Sequence, residues 1–315
     1  MIDLLEIINN QINRNIYHGA SLALFKDGQW SEHYIGTIDG VTPIKSGLIY
    51  DLASVSKVVG VGTVITSLLY QGRLELDAPL VRYYPDFHES SVTLRQLLTH
   101  SSGINPFIPN RDNLNAAELK EAINHIAVEG RKVFLYTDIN FLLLGFMLEE
   151  IYGKSLDVIF KDEVFQPFGM TNTGFGPVKK AVPTVAGIGD GVVHDPKAKV
   201  LGIHSGSAGL FSNLQDLEKF CQHYLTDDFT SDIWQNFSQA NKERSLAWNK
   251  EGDWLDHTGY TGTYVTINRK EQKAAIFLTN RTYAYDDRPL WIEETSREFH
   301  NGFSRIIKNR NFFEN

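Results

Sequence analysis

From Val58 to Gln71 no side chain carries a charge. A helix of that composition has no polar face to turn to water, so the rest of the chain must cover it on all sides. With 315 residues the chain is long enough for one large domain, or for two lobes sharing a core. The run is shorter than the ~18 apolar residues of a membrane span, and it contains Gly, Thr, Ser and Gln. The last charge before it is Lys57, in "DLASVSKVVG", one turn after Ser54.

The flanking segments set the architecture. Residues 2–15 read as a helix with apolar positions at Leu4, Leu5, Ile8 and Ile12. "ASLALFKDGQWSEHYIG" reads as a β-hairpin with its turn at "KDG". The Ser54 helix is expected to run to about Gln71 and stop at Gly72. Capping boxes, Thr93 with Gln96 and Asn115 with Glu118, start two further helices. Others are expected from Asn140 to Tyr152, from Ser155, and from Ser212 through Tyr224. "TGTYVTINR" and "AAIFLTNR" read as strands joined by "KEQK", and a last helix covers roughly 288–308. Strands at both ends with helices between them predict an α/β fold with an all-helical region. One antiparallel sheet is built from both chain ends, flanked by terminal helices, with a helical lobe inserted. The expected division is an α/β lobe of about 1–53 plus 241–315 and a helical lobe of about 54–240, with a cleft between them as the default site.

Several function classes are disfavoured. The net charge of −8 argues against nucleic acid or anionic membrane as the main partner. Cys221 is the single cysteine, so no intrachain disulfide forms, and it reads as a small buried residue. No Cys/His cluster has zinc spacing and no H-E-x-x-H occurs, so no metal and no cofactor is expected. The acidic, amphipathic start lacks a signal peptide's basic and apolar regions. A cytoplasmic protein is expected, or an extracytoplasmic one if a leader has been removed.

Ser54 and Lys57, three apart, share a helix face. A serine at a first turn sits where free N–H groups favour a developing oxyanion. A lysine there, among apolar residues, is expected to be pushed towards its neutral, basic form, and a base beside a serine makes a nucleophile. The plain alternative is a helix-capping serine and a lysine that reaches the surface. Two further patterns join S-x-x-K. Tyr-x-Asn/Asp occurs at Tyr84, Tyr136 and Tyr285, and only Tyr136-Thr137-Asp138 stands just before an apolar helix of the middle segment. Lys/His-Thr/Ser-Gly occurs at Lys45, His204 and His257, and only His257-Thr258-Gly259 leads into the strand pair.

With these motifs in this order the chain resembles the serine β-lactamase-related family of class C β-lactamases, D,D-peptidases, D-aminopeptidases and family VIII-type esterases. "LTHSSGI", "VFQPFGMTNTGF", "GVVHDPKA" and "SAGLFSNLQDLEKF" extend the resemblance over nearly the whole length. It implies a serine hydrolase with Ser54 as the nucleophile that becomes acylated. Lys57 would help deprotonate it, and Tyr136 would act as general base, its phenolate stabilised by the neighbouring ammonium. The oxyanion hole would be the N–H groups of Ser54 and Tyr260. Asp138, His257, Thr258 and Gly259 would bind substrate, with Gly259 keeping the strand edge open. The substrate would be a small molecule or peptidoglycan-like: an ester, or a D-amino-acid amide or peptide, with weak β-lactam hydrolysis on the side. A penicillin-binding or sensing module of weak activity is the alternative.

Two positions depart from the family pattern. Asp138 stands where asparagine is usual, and it either holds Lys57, or receives an N–H or ammonium from substrate, or caps the next helix. His257 replaces a lysine and is neutral near pH 7 unless a neighbour such as Asp256 raises its pKa. The sequence leaves the oligomeric state open.

Overall fold

In the computed structural model of the chain, residues 4–189 and 191–289 are described. Among them the strands are β1 (Gly19–Lys26), β2 (Gln29–Gly36), β3 (Tyr50–Asp51), β4 (Gly174–Phe175), β5 (Leu210–Ser212), β6 (Asn249–Glu251), β7 (Trp254–Thr258), β8 (Tyr264–Asn268) and β9 (Lys273–Thr279). The α-helices are α1 (Leu4–Asn13), α2 (Thr63–Tyr70), α3 (Leu94–Leu98), α4 (Ala116–Asn124), α5 (Ile139–Tyr152), α6 (Leu156–Phe160), α7 (Pro196–Leu201) and α8 (Leu214–Thr226).

The hairpin β1–β2 turns at Asp27 and Gly28, with φ of 51° and 78°. Two successive left-handed residues match the strand twist, which is why Asp-Gly suits this turn. β1 then pairs with β9, so strands from both chain ends form one antiparallel sheet in the order β2-β1-β9-β8-β7-β6. The two-residue period sorts its side chains. Leu22, Phe277 and Tyr264 lie side by side and pack with Leu4 and Ile8 of α1. Their neighbours Ala23, Ile276 and Val265 face the main core, which also holds Leu217, Phe220 and Tyr224 of α8.

A β6–β7 hairpin and a small second sheet, β3-β5-β4, were not legible in the sequence. β7 buries Asp256 and His257, which breaks the apolar pattern, and the strands of the small sheet have two or three residues each. Both capping boxes form. The expected start of α8 at Ser212 is displaced. Ser212 closes β5, and Asn213 caps the helix by accepting from the Asp216 N–H. Apart from Arg288 and Pro289, the helix expected over roughly 288–308 lies outside the described residues.

The Ser54 segment is not one α-helix. It is a 3-10 turn at Ala53–Val55, a π-helical stretch at Val58–Gly62, and then α2. With the turn included, the run Ala53–Tyr70 reaches 18 residues and is apolar enough to cross a membrane by length and composition. It serves instead as the core helix: 78% of it is buried inside the protein, and α5, itself buried from Ile139 to Leu148, packs on the π stretch. The Thr63 hydroxyl donates to the Val58 carbonyl five residues back at 2.7 Å, a bond the π spacing permits.

The exposed α4 cap offers a clean test of local stability. Asn115→Ala removes the acceptor for the Glu118 N–H. It should cost about 1 kcal/mol, read as a lower urea midpoint with an unchanged slope.

Candidate active site

The Lys57 side chain is fully buried, and its ammonium has three partners. It donates to Ser54 Oγ at 2.9 Å, to Asp138 Oδ1 at 2.8 Å and to the Ser207 carbonyl at 2.8 Å. Three donors thus meet three acceptors, so the charged form is fully satisfied. Burial pulls the Lys57 pKa down, but the Asp138 carboxylate and Tyr136 outweigh it and hold the group above the ordinary lysine value. The expectation of a neutral lysine is therefore corrected: desolvation acts as anticipated, and a buried counter-charge overrides it.

Asp138 has both oxygens engaged. Oδ1 takes Lys57, and Oδ2 lies 3.0 Å from Lys197 Nζ. Burial pushes its carboxyl up, yet the two ammonium groups more than offset that and hold it well below the usual range. Asp138 does stand at the N-cap of α5, but its side chain makes no capping bond there. Of the three open readings, the structure favours a holder of Lys57. Lys197 was missed. It lies in "GVVHDPKA", where Asp195 caps α7 by accepting from the Ala198 N–H and Pro196 occupies the first turn. Asp-Pro signals a helix start, but nothing local says that the lysine after it points at a distant aspartate.

Tyr136 is partly exposed and stands over this group, with Lys57 Nζ 5.3 Å from its ring centroid. Its ring packs on His100 at 4.4 Å and lies 6.2 Å from His257. His100 stabilises the loop before α5. Its carbonyl accepts from the Leu135 N–H, and Nδ1 meets the Asn140 side chain at 3.0 Å.

His257 lies at the end of β7 and is buried, with Nδ1 2.9 Å from the Thr258 carbonyl. A carbonyl only accepts, so Nδ1 carries the proton and Nε2 is an acceptor. Burial first, then the cations Arg244 and Lys57, push its pKa well below the ordinary value. Asp256 does not rescue it, because its carboxylate is turned to the Asn249 side chain at 2.9 Å. Arg244, fully buried 13 residues earlier in the chain, was also missed.

Thr258 is exposed at the cleft wall. Gly259 has a reason other than the one expected. A Cβ there would sit 2.0 Å from Thr263 Oγ1 and 2.5 Å from the Leu52 carbonyl, so glycine lets the end of β7 close on the turn carrying Ser54. Among the described residues no hydrogen bond takes up the Ser54 or Tyr260 amide. Ser54, Tyr136, Asp138, Lys197, His257 and Tyr260 all line one cleft of about 940 Å³. Among the described residues no cluster of His, Cys, Asp and Glu could hold a metal ion.

A half-buried serine lining such a cleft, bonded to a wholly buried lysine, is equipped for acyl transfer, and the comparisons agree. The family model described as Beta-lactamase matches residues 7–295. The chain belongs to the beta-lactamase family. It is a serine hydrolase of that family, with the family's antiparallel sheet and helices. A relative from Escherichia coli O157:H7, provisionally named D-alanyl-D-alanine carboxypeptidase, is 26% identical over 88% of this chain and 81% of its own. A class C beta lactamase from Rhodobacter sphaeroides shares the fold at a TM-score of 0.71 and 17% identity, covering 96% of this chain and 98% of that one. So does EstCE1, a hydrolase with promiscuous acyltransferase activity, at 0.75 and 16%, over 94% and 97%.

Two outcomes follow from the charges. A carboxyl held below its unfolded pKa stabilises the fold above that unfolded value, and this is lost as pH falls through the folded one. Asp138→Asn should therefore destabilise the protein at pH 7 by about 3 kcal/mol, and the gap from wild type should shrink below about pH 4, both read by urea unfolding. His257 stays neutral, so KM for a carboxylate-bearing substrate should remain flat between about pH 8 and 6. A fall in KM towards pH 6 that is lost in His257→Gln would show that His257 gains its proton.

Proposed function

We propose that this serine hydrolase works through an acyl-Ser54 intermediate on an ester or on a D-amino-acid amide or peptide. The observation that carries it is the 2.9 Å bond between the wholly buried Lys57 ammonium and Ser54 Oγ at the floor of the cleft. Ser54 Oγ attacks the substrate carbonyl. Its proton passes to the Tyr136 oxygen, which takes it as the phenolate paired with the Lys57 ammonium, and from there to the leaving oxygen or nitrogen, whose bond to the carbonyl carbon breaks. Lys57, already charged, donates to Oγ and stabilises its developing negative charge rather than removing the proton. The carbonyl oxygen, negative in the tetrahedral intermediate, accepts from the Ser54 and Tyr260 amides. Water then enters by the same route and releases the acid.

The charges around the cleft bear on substrate. His257 places a neutral, buried ring where a lysine would offer a cation, which favours esters and peptides over carboxylate-anchored lactams. Asp138 has both oxygens taken by lysines, so a free substrate amine finds no vacant carboxylate there. Lys197 beside it presents N–H groups to a carbonyl, which suits an N-acylated substrate. The provisional name of the Escherichia coli relative and the hydrolase activity of EstCE1 support D-peptides and esters as the classes to test first.

The test is intact mass after incubation with a fluorophosphonate and, separately, a penicillin, beside turnover of a p-nitrophenyl ester. Wild type should take one phosphonyl group, and Ser54→Ala none. Ester turnover in Ser54→Ala should fall by roughly a thousandfold or more. A stable penicillin adduct without ester turnover would replace this reading with a binding or sensing module.

A further inference from the structure

Asp51 lies three residues before Ser54, is buried, and has no part in the steps above. Its side chain and its backbone carbonyl tie together three parts of the site. Oδ1 accepts from the Ala53 N–H at 2.8 Å, Oδ2 from the His194 N–H at 2.7 Å, and the carbonyl from the Thr261 hydroxyl at 2.9 Å. Each tie ends beside a candidate oxyanion donor. Ala53 precedes Ser54. Thr261 follows Tyr260. The His194 ring stacks on the Tyr260 ring, centroids 5.4 Å apart and planes at 26°.

The Ala53 backbone needs such a hold. Its φ is 46°, in the left-handed region an alanine seldom adopts. Strain of this kind persists only where the surroundings over-determine it. Here the Asp51 carboxylate holds the Ala53 amide, and the Thr263 hydroxyl holds the Leu52 carbonyl at 2.9 Å. The short tie to Ala53 is an ordinary local turn bond. The tie to His194 is not local, and it recruits the segment leading into α7, whose first turn carries Lys197.

We propose that Asp51 is the positioning residue of the oxyanion hole: it fixes the spacing between the Ser54 and Tyr260 amides. This rests on the acyl-Ser54 reading. Burial raises the Asp51 pKa to about 6 against the pull of the His194 and Ala53 amides, so at neutral pH the carboxylate accepts at both oxygens. An asparagine accepts at one oxygen and turns an NH₂ group towards the other N–H, so Asp51→Asn breaks one tie and leaves shape and size unchanged.

The experiment compares kcat/KM for a p-nitrophenyl ester and for its thionoester, whose sulfur is the weaker acceptor and gains less from the two amides. Asp51→Asn should lower the ester value by roughly 10- to 100-fold and the thionoester value much less, so that the oxygen-to-sulfur ratio collapses. A fluorophosphonate should still label one serine per chain, more slowly. Thr261→Val should move the ratio the same way by a smaller factor, and it decides the matter if Asp51→Asn does not fold. A wild-type ratio in the folded variants, or ester and thionoester rates falling together with the labelled fraction, would overturn the assignment and leave the acyl-Ser54 reading standing. Wild type that takes no label at Ser54 would remove both.

Discussion

An ammonium group sealed from water costs several kcal/mol unless charge and hydrogen bonds replace what water gave it. Lys57 sits under that constraint, and the site follows from how it is met. One proton goes to Asp138, one to the Ser207 carbonyl, and one to Ser54 Oγ. The first partner heads α5, the second lies in the loop before β5, and the third is the candidate nucleophile. One buried charge thus fixes three segments, remote in sequence, around a single point. The apolar run behind Lys57 makes the constraint severe, because Val58 to Gly62 are wholly buried and offer no polar atom beyond the backbone.

The wall opposite is set by contact rather than charge. The end of β7 approaches the Ser54 turn so closely that Gly259 has no room for a side chain. The Thr261 and Thr263 hydroxyls stitch that approach to the carbonyls of Asp51 and Leu52. The sheet therefore presents its third motif to the helical side at a fixed spacing. Its register comes from pairing β1 of the N-terminal hairpin with β9.

Much of this was legible in the chain. The hairpin turn and both capping boxes each rest on a local rule and formed, and the Ser54 segment is buried as its composition requires, though it is 3-10 and π before it is α. Tyr136 and His257, chosen among three matches apiece through an apolar helix and a strand pair, both line the cleft. The protonation of Lys57 was not legible. Desolvation could be read from the valines around it, but the opposing charge is 81 residues away. Lys197, Arg244 and Asp51 escaped for the same reason. Each acts through a partner brought near only by the fold, and each sits in a segment whose local pattern reads as a turn, a loop or a strand end. The short strands of the second sheet escaped because two or three residues carry no period.

The two departures from the family pattern belong to one electrostatic arrangement. A lysine at 257 and an asparagine at 138 would leave Lys57 facing a second cation across the cleft with no anion at hand. Here the cation at 257 is replaced by a neutral imidazole and the amide at 138 by a carboxylate, both of which favour a charged Lys57. Left at that, the cleft floor would lose two units of positive charge, and Asp138 would carry an unpaired oxygen. Lys197 restores one unit and occupies that oxygen. It does so from the first turn of α7, three residues after the His194 amide that Asp51 ties to the nucleophile turn. The compensating cation thus comes from the first turn of α7 rather than from the strand. Lys197 is itself held between two carboxylates, 3.0 Å from Asp138 and 3.6 Å from Asp195. The charge pattern at the cleft floor then depends on residues 194–197 as much as on the sheet edge.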